Sequence, residues 1–276
     1  MNIGIIGLGL MGGSLGMALK KFSNKYHIIG YDHNPKHQKE ALILNLVDKI
    51  SNGFEEIKSC DVIILTIPVD AIIQTIQNLK DIHEDCTIID FGSSKAKISS
   101  SIPQEIRKNF VTSHPMTGTE KFGPTAAMDN LYKEKTMVIC DKEQSGELQI
   151  DIAIGLFRDI EANVVFMGAD EHDRHAAFIS HMPHAVSYAI ANSVMKQEDS
   201  ENIIALAGGG FRSMSRIAKS SPTMWEDIFR QNRDNLLESI ESFNSEMSRY
   251  KSMIENEEWD ALHEWMLEAN RLHDIL

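Results

Sequence analysis

Three glycines, Gly7, Gly9 and Gly12, constrain this chain more than any other feature. They follow a short apolar run, Ile3–Ile6, that reads as a buried strand, and they open an uncharged run to Leu19 that reads as a helix. At such a junction each glycine has a task. Gly7 allows the tight strand-to-helix turn, Gly9 lets the backbone approach a pyrophosphate at the positive end of the helix, and Gly12 lets helix and strand pack closely. A second strand-like run, Ile28–Tyr31, leads into Asp32, 20 residues past Gly12. A carboxylate there accepts hydrogen bonds from ribose hydroxyls and repels a 2′-phosphate. His33 and Asn34 follow it, with no adjacent arginine, so the pattern points to NAD rather than NADP. A secretory leader is the competing reading of an uncharged start. Glycines break its apolar core, and Lys20 and Lys21 come after the run instead of before it.

The chain has 276 residues and a net charge of −13, with no basic run. That length suits two modest domains, and the charge argues against a nucleic-acid partner. Cys60, Cys86 and Cys140 are scattered without metal-ligand spacing, which fits a reducing compartment and neither a disulfide framework nor a zinc site. No stretch reads as a membrane span once the glycine-rich start is explained. A cytoplasmic protein is the expectation.

Strand and helix signals alternate through the first part. Strands are expected at 61–66, 87–90, 110–112, 136–140 and 164–166, and helices at 35–46, 69–79 and 95–108. This alternation predicts an α/β fold of the Rossmann type, a doubly wound, mostly parallel sheet over residues 1–168. Ligands bind beyond the carboxyl ends of such strands, where Asp32, Pro68, Gly92 and Ser93 all fall. Strand signals then stop. Helical periodicity runs from Glu171 to about Met195, where Pro183 removes a backbone donor and predicts a kink near Ser180 and His181. Further helices are expected at 211–220, 223–250 and from Asn256 onward. Residues 169–276 read as an all-helical C-terminal domain, with apolar faces that suit a dimer.

Four polar clusters call for chemistry. In Asp90–Lys95, Ser93 either caps a helix or stands near the nicotinamide, and Lys95 either holds a phosphate or is solvated. In Ser113–Glu120, His114 follows a strand and lies in a loop held by Pro115 and Gly118; it is either a surface histidine or a base titrating near neutrality. His172, Asp173, Ser180, His181 and His184 form the third group. It lacks carboxylates at ligand spacing, so a histidine network or substrate contacts fit better than a metal. In Gly208–Arg216 the glycines permit a mobile loop, and Arg216 either clamps a carboxylate bidentately or is solvated. Trp225 follows further on.

Together these stretches resemble the prephenate and arogenate dehydrogenases of tyrosine biosynthesis. The resemblance rests on Gly7–Gly16, Asp90–Lys95, Ser113–Glu120, His172–Asp173, Ser180–His184 and Gly208–Arg216, in that order along the chain. It implies oxidative decarboxylation of prephenate by NAD⁺ and a homodimer built on the helical domain. It further implies that His114 is the catalytic histidine bonded to the ring hydroxyl, with Ser93 orienting both. Arg216 would bind a substrate carboxylate, His184, Ser180 and Thr119 would line the substrate site, and Glu120, His172 and Asp173 would form its polar surround. Ser213 stands where some relatives carry an acid that pairs with the arginine, which puts such a gate in doubt. Neither the regulatory domain nor the chorismate mutase fused to some relatives is expected within these 276 residues. Three rivals remain: the same fold acting on arogenate, a β-hydroxyacid dehydrogenase using a lysine such as Lys219, and a non-catalytic dinucleotide sensor.

Overall fold

A computed structural model describes residues 1–275. Its strands are β1 (Asn2–Ile6), β2 (His27–Tyr31), β3 (Lys49–Ile50), β4 (Val62–Leu65), β5 (Thr87–Asp90), β6 (Phe110–Pro115), β7 (Thr136–Cys140) and β8 (Asn163–Met167). They form one sheet in the order β3-β2-β1-β4-β5-β6-β7-β8. Every neighbouring pair is parallel except β6 and β7.

Adjacent residues on the central strands enter different cores. Ile28, Ile64, Ile89 and Val111 pack on one face, with Leu15 of α1 (Leu10–Lys20) and Phe157 of α6 (Glu147–Asp159). Ile29, Ile63, Ile88 and Phe110 pack on the other, with Ile57 of α3 (Phe54–Lys58), Ile72 of α4 (Val69–Ile76) and Ile98 of α5 (Ala96–Ser101). The period of two explains why these strands read as unbroken apolar runs: both faces are covered. α2 (Pro35–Ile43) completes the N-terminal helices; Asn34 caps it by accepting from the Lys36 N–H at 3.0 Å.

Among the described residues, helices alone follow β8. They are α7 (Ala169–Ala176), α8 (Met182–Gln197), α9 (Ser200–Leu206), α10 (Gly209–Ser215), α11 (Pro222–Gln231), α12 (Arg233–Glu255) and α13 (Trp259–Asn270). Among the described residues, no helix is long and apolar enough to cross a membrane.

Several expectations need correction. The helix expected at 95–108 stops at Ser101, because Pro103 cannot continue it. β6 runs through Pro115 rather than ending at Thr112, so His114 lies in a strand, opposite Val138 of the antiparallel β7, and not in a loop. The pattern at 171–195 does run as continuous helix, from Ala169 to Gln197, and the disturbance expected from Pro183 takes the form of a π-helical turn, Ala177–His181, between α7 and α8. The helix expected at 223–250 is two, broken at Asn232. Gly209 and Gly210 lie in the first turn of α10 instead of a loop before it.

Candidate active site

The strand order reverses at β1, which is flanked by β2 and β4, and the glycine turn opens at that switch point. Gly7 has a φ of +96°, and a Cβ there would lie 2.6 Å from the Thr66 carbonyl oxygen. A Cβ on Gly12 would lie 1.9 Å from the Gly7 oxygen. Both positions therefore demand glycine, one for conformation and one for contact. Gly9, by contrast, faces open space at the N-terminus of α1, and no side chain caps that helix. Free N–H groups and an open approach suit an anion. Asp32 is buried beside them. Its carboxylate accepts from Leu8 N–H and Asn34 N–H, both at 2.8 Å, and His33 and His37 stand within 3.4 Å. Two bonds leave lone pairs free for ribose hydroxyls. Pro68 is exposed at the end of β4, directly before α4.

Past β5 the chain turns around a charge pair. Lys95 and Asp90 form an ion pair in which neither side chain is exposed to solvent. The ammonium also donates to the Ser113 carbonyl at 2.6 Å. Asp90 accepts from Gly92 N–H and Ser113 N–H, at 2.9 and 3.1 Å. Burial raises the Asp90 carboxyl above its ordinary value, against the pull of Lys95 and those N–H groups. Lys95 thus ties β5 to β6 immediately before His114; it is neither solvated nor free for a phosphate.

His114 opens a chain of hydrogen bonds into α7. Its Nδ1 lies 2.8 Å from His172 Nε2, and His172 Nδ1 lies 2.9 Å from Asp173 Oδ1. Asp173 also accepts from Lys95 N–H at 2.7 Å and Ala96 N–H at 2.9 Å, at the start of α5. Burial pushes the Asp173 carboxyl up, but the His172 bond and these two N–H groups outweigh it and hold the carboxyl below its ordinary value. An ionised carboxylate only accepts, so His172 Nδ1 donates. With neutral rings His172 Nε2 then accepts, His114 Nδ1 donates, and His114 Nε2 keeps a lone pair with no partner among the described residues. Burial holds His114 well below its ordinary value, and His172, Lys95 and His181 add to the effect, so the ring is neutral near pH 7.

The helical side closes on the same point. Asn232, at the break between α11 and α12, donates to the Asp173 carbonyl at 2.6 Å and to His181 Nδ1 at 3.2 Å. That fixes the His181 proton on Nε2, and burial lowers this imidazole to about 4. His184 Nδ1 donates to the Ser180 carbonyl at 3.0 Å, in the turn Pro183 shapes. The His184 ring stacks on Trp225 at 3.6 Å. Arg216 begins a 3-10 turn, Arg216–Lys219, and its guanidinium lies 3.7 Å from Glu120 of the loop after β6.

The structure thus brings His114, His172 and Asp173 into one chain, and Glu120 to Arg216. Thr119 is half-buried beside Glu120, its hydroxyl accepting from Lys121 N–H at 3.2 Å. Ser93 is half-buried between Gly92 and Ser94, and no hydrogen bond joins it to His114 among the described residues; the ring is held by His172 instead. Sequence reasoning missed the Lys95–Asp90 pair and Asn232. The first could have been suspected from an acid and a lysine flanking a Gly-Ser turn. The second has no sequence signal, since a lone asparagine between helical stretches is ordinary.

Two family models match the chain in tandem. One describes the nucleotide-binding domain of prephenate dehydrogenase and covers residues 15–166; the other describes its dimerization domain and covers residues 168–268. A prephenate dehydrogenase of Bacillus subtilis is 31% identical over 281 residues, covering 99% of this chain and 75% of that one. A cyclohexadienyl dehydrogenase of Zymomonas mobilis is 27% identical, covering 98% and 94%. The crystal structure of a prephenate dehydrogenase from Aquifex aeolicus, in complex with hydroxyphenyl propionate and NAD⁺, superposes with a TM-score of 0.92 at 31% identity, covering 100% and 98%.

Proposed function

The chain belongs to the prephenate dehydrogenase family, and on that footing we propose that it oxidises prephenate with NAD⁺ and loss of carbon dioxide, giving 4-hydroxyphenylpyruvate in tyrosine biosynthesis. The observation that carries this reading is the free lone pair on His114 Nε2, backed through His172 by Asp173. A neutral imidazole held in one tautomer is suited to take the ring hydroxyl proton. When bound, NAD⁺ supplies the hydride acceptor. The open face at Gly9 fits its pyrophosphate, and the Asp32 carboxylate fits its ribose.

The substrate is a dianion and the chain carries a net charge of −13, so local cations must hold it against the protein's own field. Arg216 is assigned to a carboxylate. Ser93, Thr119, Ser180 and His184 are assigned to the pocket, with Glu120 in its polar surround. Positioning does most of the work, because aromatisation drives the reaction once the hydroxyl and the leaving carboxylate are oriented.

Arogenate is a second reading with its own observation. Glu120 stands 3.7 Å from Arg216, and an acid beside a cation matches the ammonium and carboxylate of an amino-acid side chain. NADH formation followed with each substrate, with and without tyrosine, separates the two. Turnover with neither would overturn both.

We also propose a homodimer through the helical region. Ile204, Leu206, Met214, Trp259 and Leu272 are each more than half exposed, a density of apolar surface that a second copy would cover.

A further inference from the structure

The reaction proposed above releases no proton overall. The ring oxygen is a hydroxyl in the substrate and a hydroxyl in the product. A base that takes its proton while the C–H bond breaks must therefore give the proton back once the ring is aromatic. Such a site needs a place to hold a proton, not a path to solvent.

The bonds behind His114 form such a place. His172 and Asp173 are 2% and 3% exposed. Each donor has one acceptor: His114 Nδ1 to His172 Nε2 at 2.8 Å, and His172 Nδ1 to Asp173 Oδ1 at 2.9 Å. Two N–H groups of the α5 start fix the carboxylate at the far end.

Resting on the proposed function, we propose that His114, His172 and Asp173 form a closed proton shuttle that runs forward and back within one turnover. The substrate O–H bond breaks as its proton bonds to His114 Nε2. The proton on His114 Nδ1 then passes to His172 Nε2, so the positive charge forms beside Asp173. The hydride leaves the carbinol carbon with its electron pair and goes to NAD⁺. The electron pair of the bond to the departing carboxylate closes the aromatic ring, and carbon dioxide leaves neutral. Both protons then retrace their steps, and the phenolic oxygen regains its own. His114 touches the substrate; His172 and Asp173 act through it as positioning residues.

The surroundings explain why the charge moves inward. A cation on His114 faces the Lys95 ammonium from the turn after β5, while His181 of the π-helical turn, lowered to about 4 by burial, stays neutral beside it. One ring further in, the same charge meets the Asp173 carboxylate. Asp90 is occupied by Lys95, and Cys140 of β7, its thiol pushed up to about 12 by burial, stays neutral.

The resting protein is tested first, by ¹⁵N NMR of its histidine rings without substrate. Protons on Nδ1 of both His114 and His172 are expected, and His114 protonated on Nε2 overturns the shuttle whatever the substrate. Single-turnover NADH formation from prephenate is then followed against pH for the wild type, His172→Gln and Asp173→Asn. Glutamine can accept the His114 hydrogen bond but cannot take its proton. In both variants the rate is expected to fall about 10²–10³-fold, the scale of lost acid–base assistance. The acid limb of the profile is expected to move down by about one pH unit, since the carboxylate no longer favours the charged pair. An acid limb that stays in place, whatever the rate, overturns the shuttle and leaves the pair as scaffolding. Asp173→Asn also weakens the start of α5; if it unfolds, His172→Gln carries the test. Correct tautomers in a wild type that oxidises neither prephenate nor arogenate would instead overturn the reaction, and the shuttle with it.

Discussion

Lys95 and Asp90 face each other across the four residues between them with no solvent at either side chain, and the ammonium reaches on to the Ser113 carbonyl at 2.6 Å. The pair fixes the spacing of β5 and β6, and hence the place of His114. Removing one partner leaves the other charged and buried, which costs about 3–5 kcal/mol. Lys95→Met should therefore lose stability on that scale in urea denaturation at pH 7. The double variant Lys95→Met/Asp90→Asn should recover a large part of the loss, because no lone charge remains. Equal losses in the single and double variants would show that packing, not charge, holds the turn.

Asp32 accepts two backbone N–H bonds and presents its remaining lone pairs where the ribose of NAD⁺ would lie. A hydrogen bond to a charged group contributes about 1.5–3 kcal/mol. Asp32→Ser should accordingly raise the KM for NAD⁺ by about 10- to 150-fold, on the same scale. It should also raise NADP⁺ use relative to NAD⁺, because a 2′-phosphate is no longer repelled. The ratio of kcat/KM for the two cofactors is the measurement. An unchanged ratio would remove Asp32 from cofactor choice.

The parts legible in the sequence are those whose physics is local. Gly7 must adopt a positive φ, and Gly12 must admit a carbonyl oxygen at contact distance, so the glycine spacing announces the turn. Strands buried on both faces appear as runs such as Val62–Leu65. What escaped depends on distant partners. His114 reads as a loop residue until β7, more than 20 residues on, pairs with β6 in the antiparallel sense. Lys95 reads as a phosphate-holding or solvated lysine until Asp90 and the Ser113 carbonyl surround it. Asn232 breaks a helical pattern without glycine or proline, and its purpose emerges only where its amide meets Asp173 and His181. Pro183 signalled a disturbance correctly in place, but its outcome as a π-helical turn depends on how α7 and α8 pack.

Arg216 is 60% exposed and, among the described residues, touches only Glu120 at ion-pair range, at 3.7 Å. A pair so exposed contributes little to stability, at most about 1 kcal/mol, which leaves the guanidinium available to a substrate. Arg216→Ala should leave the urea midpoint unchanged and raise the substrate KM by about 10- to 150-fold, the range for a lost hydrogen bond to a charged group. Glu120→Gln sorts the two substrates. It should weaken arogenate use and spare or improve prephenate use, since only arogenate carries an ammonium. An Arg216→Ala variant with an unchanged KM would assign the arginine to the surface.

His181 offers a test of burial through pH. Its ordinary value is 6.5, and burial lowers it to about 4 in the folded chain. Above pH 6.5 neither state holds the proton, and stability is at its full value. Between 6.5 and 4 the unfolded chain binds a proton that the folded chain refuses, so stability falls as pH falls. Below about 4 both states are protonated and the loss, about 3 kcal/mol for this group, is complete. His181→Gln removes the titration while keeping a polar side chain near Asn232. Urea denaturation at pH 7 and at pH 4.5 should show the wild type losing about 2–3 kcal/mol more than the variant between the two conditions. Equal losses would mean that the folded chain accommodates the protonated ring, and that the Asn232 bond does not hold His181 neutral.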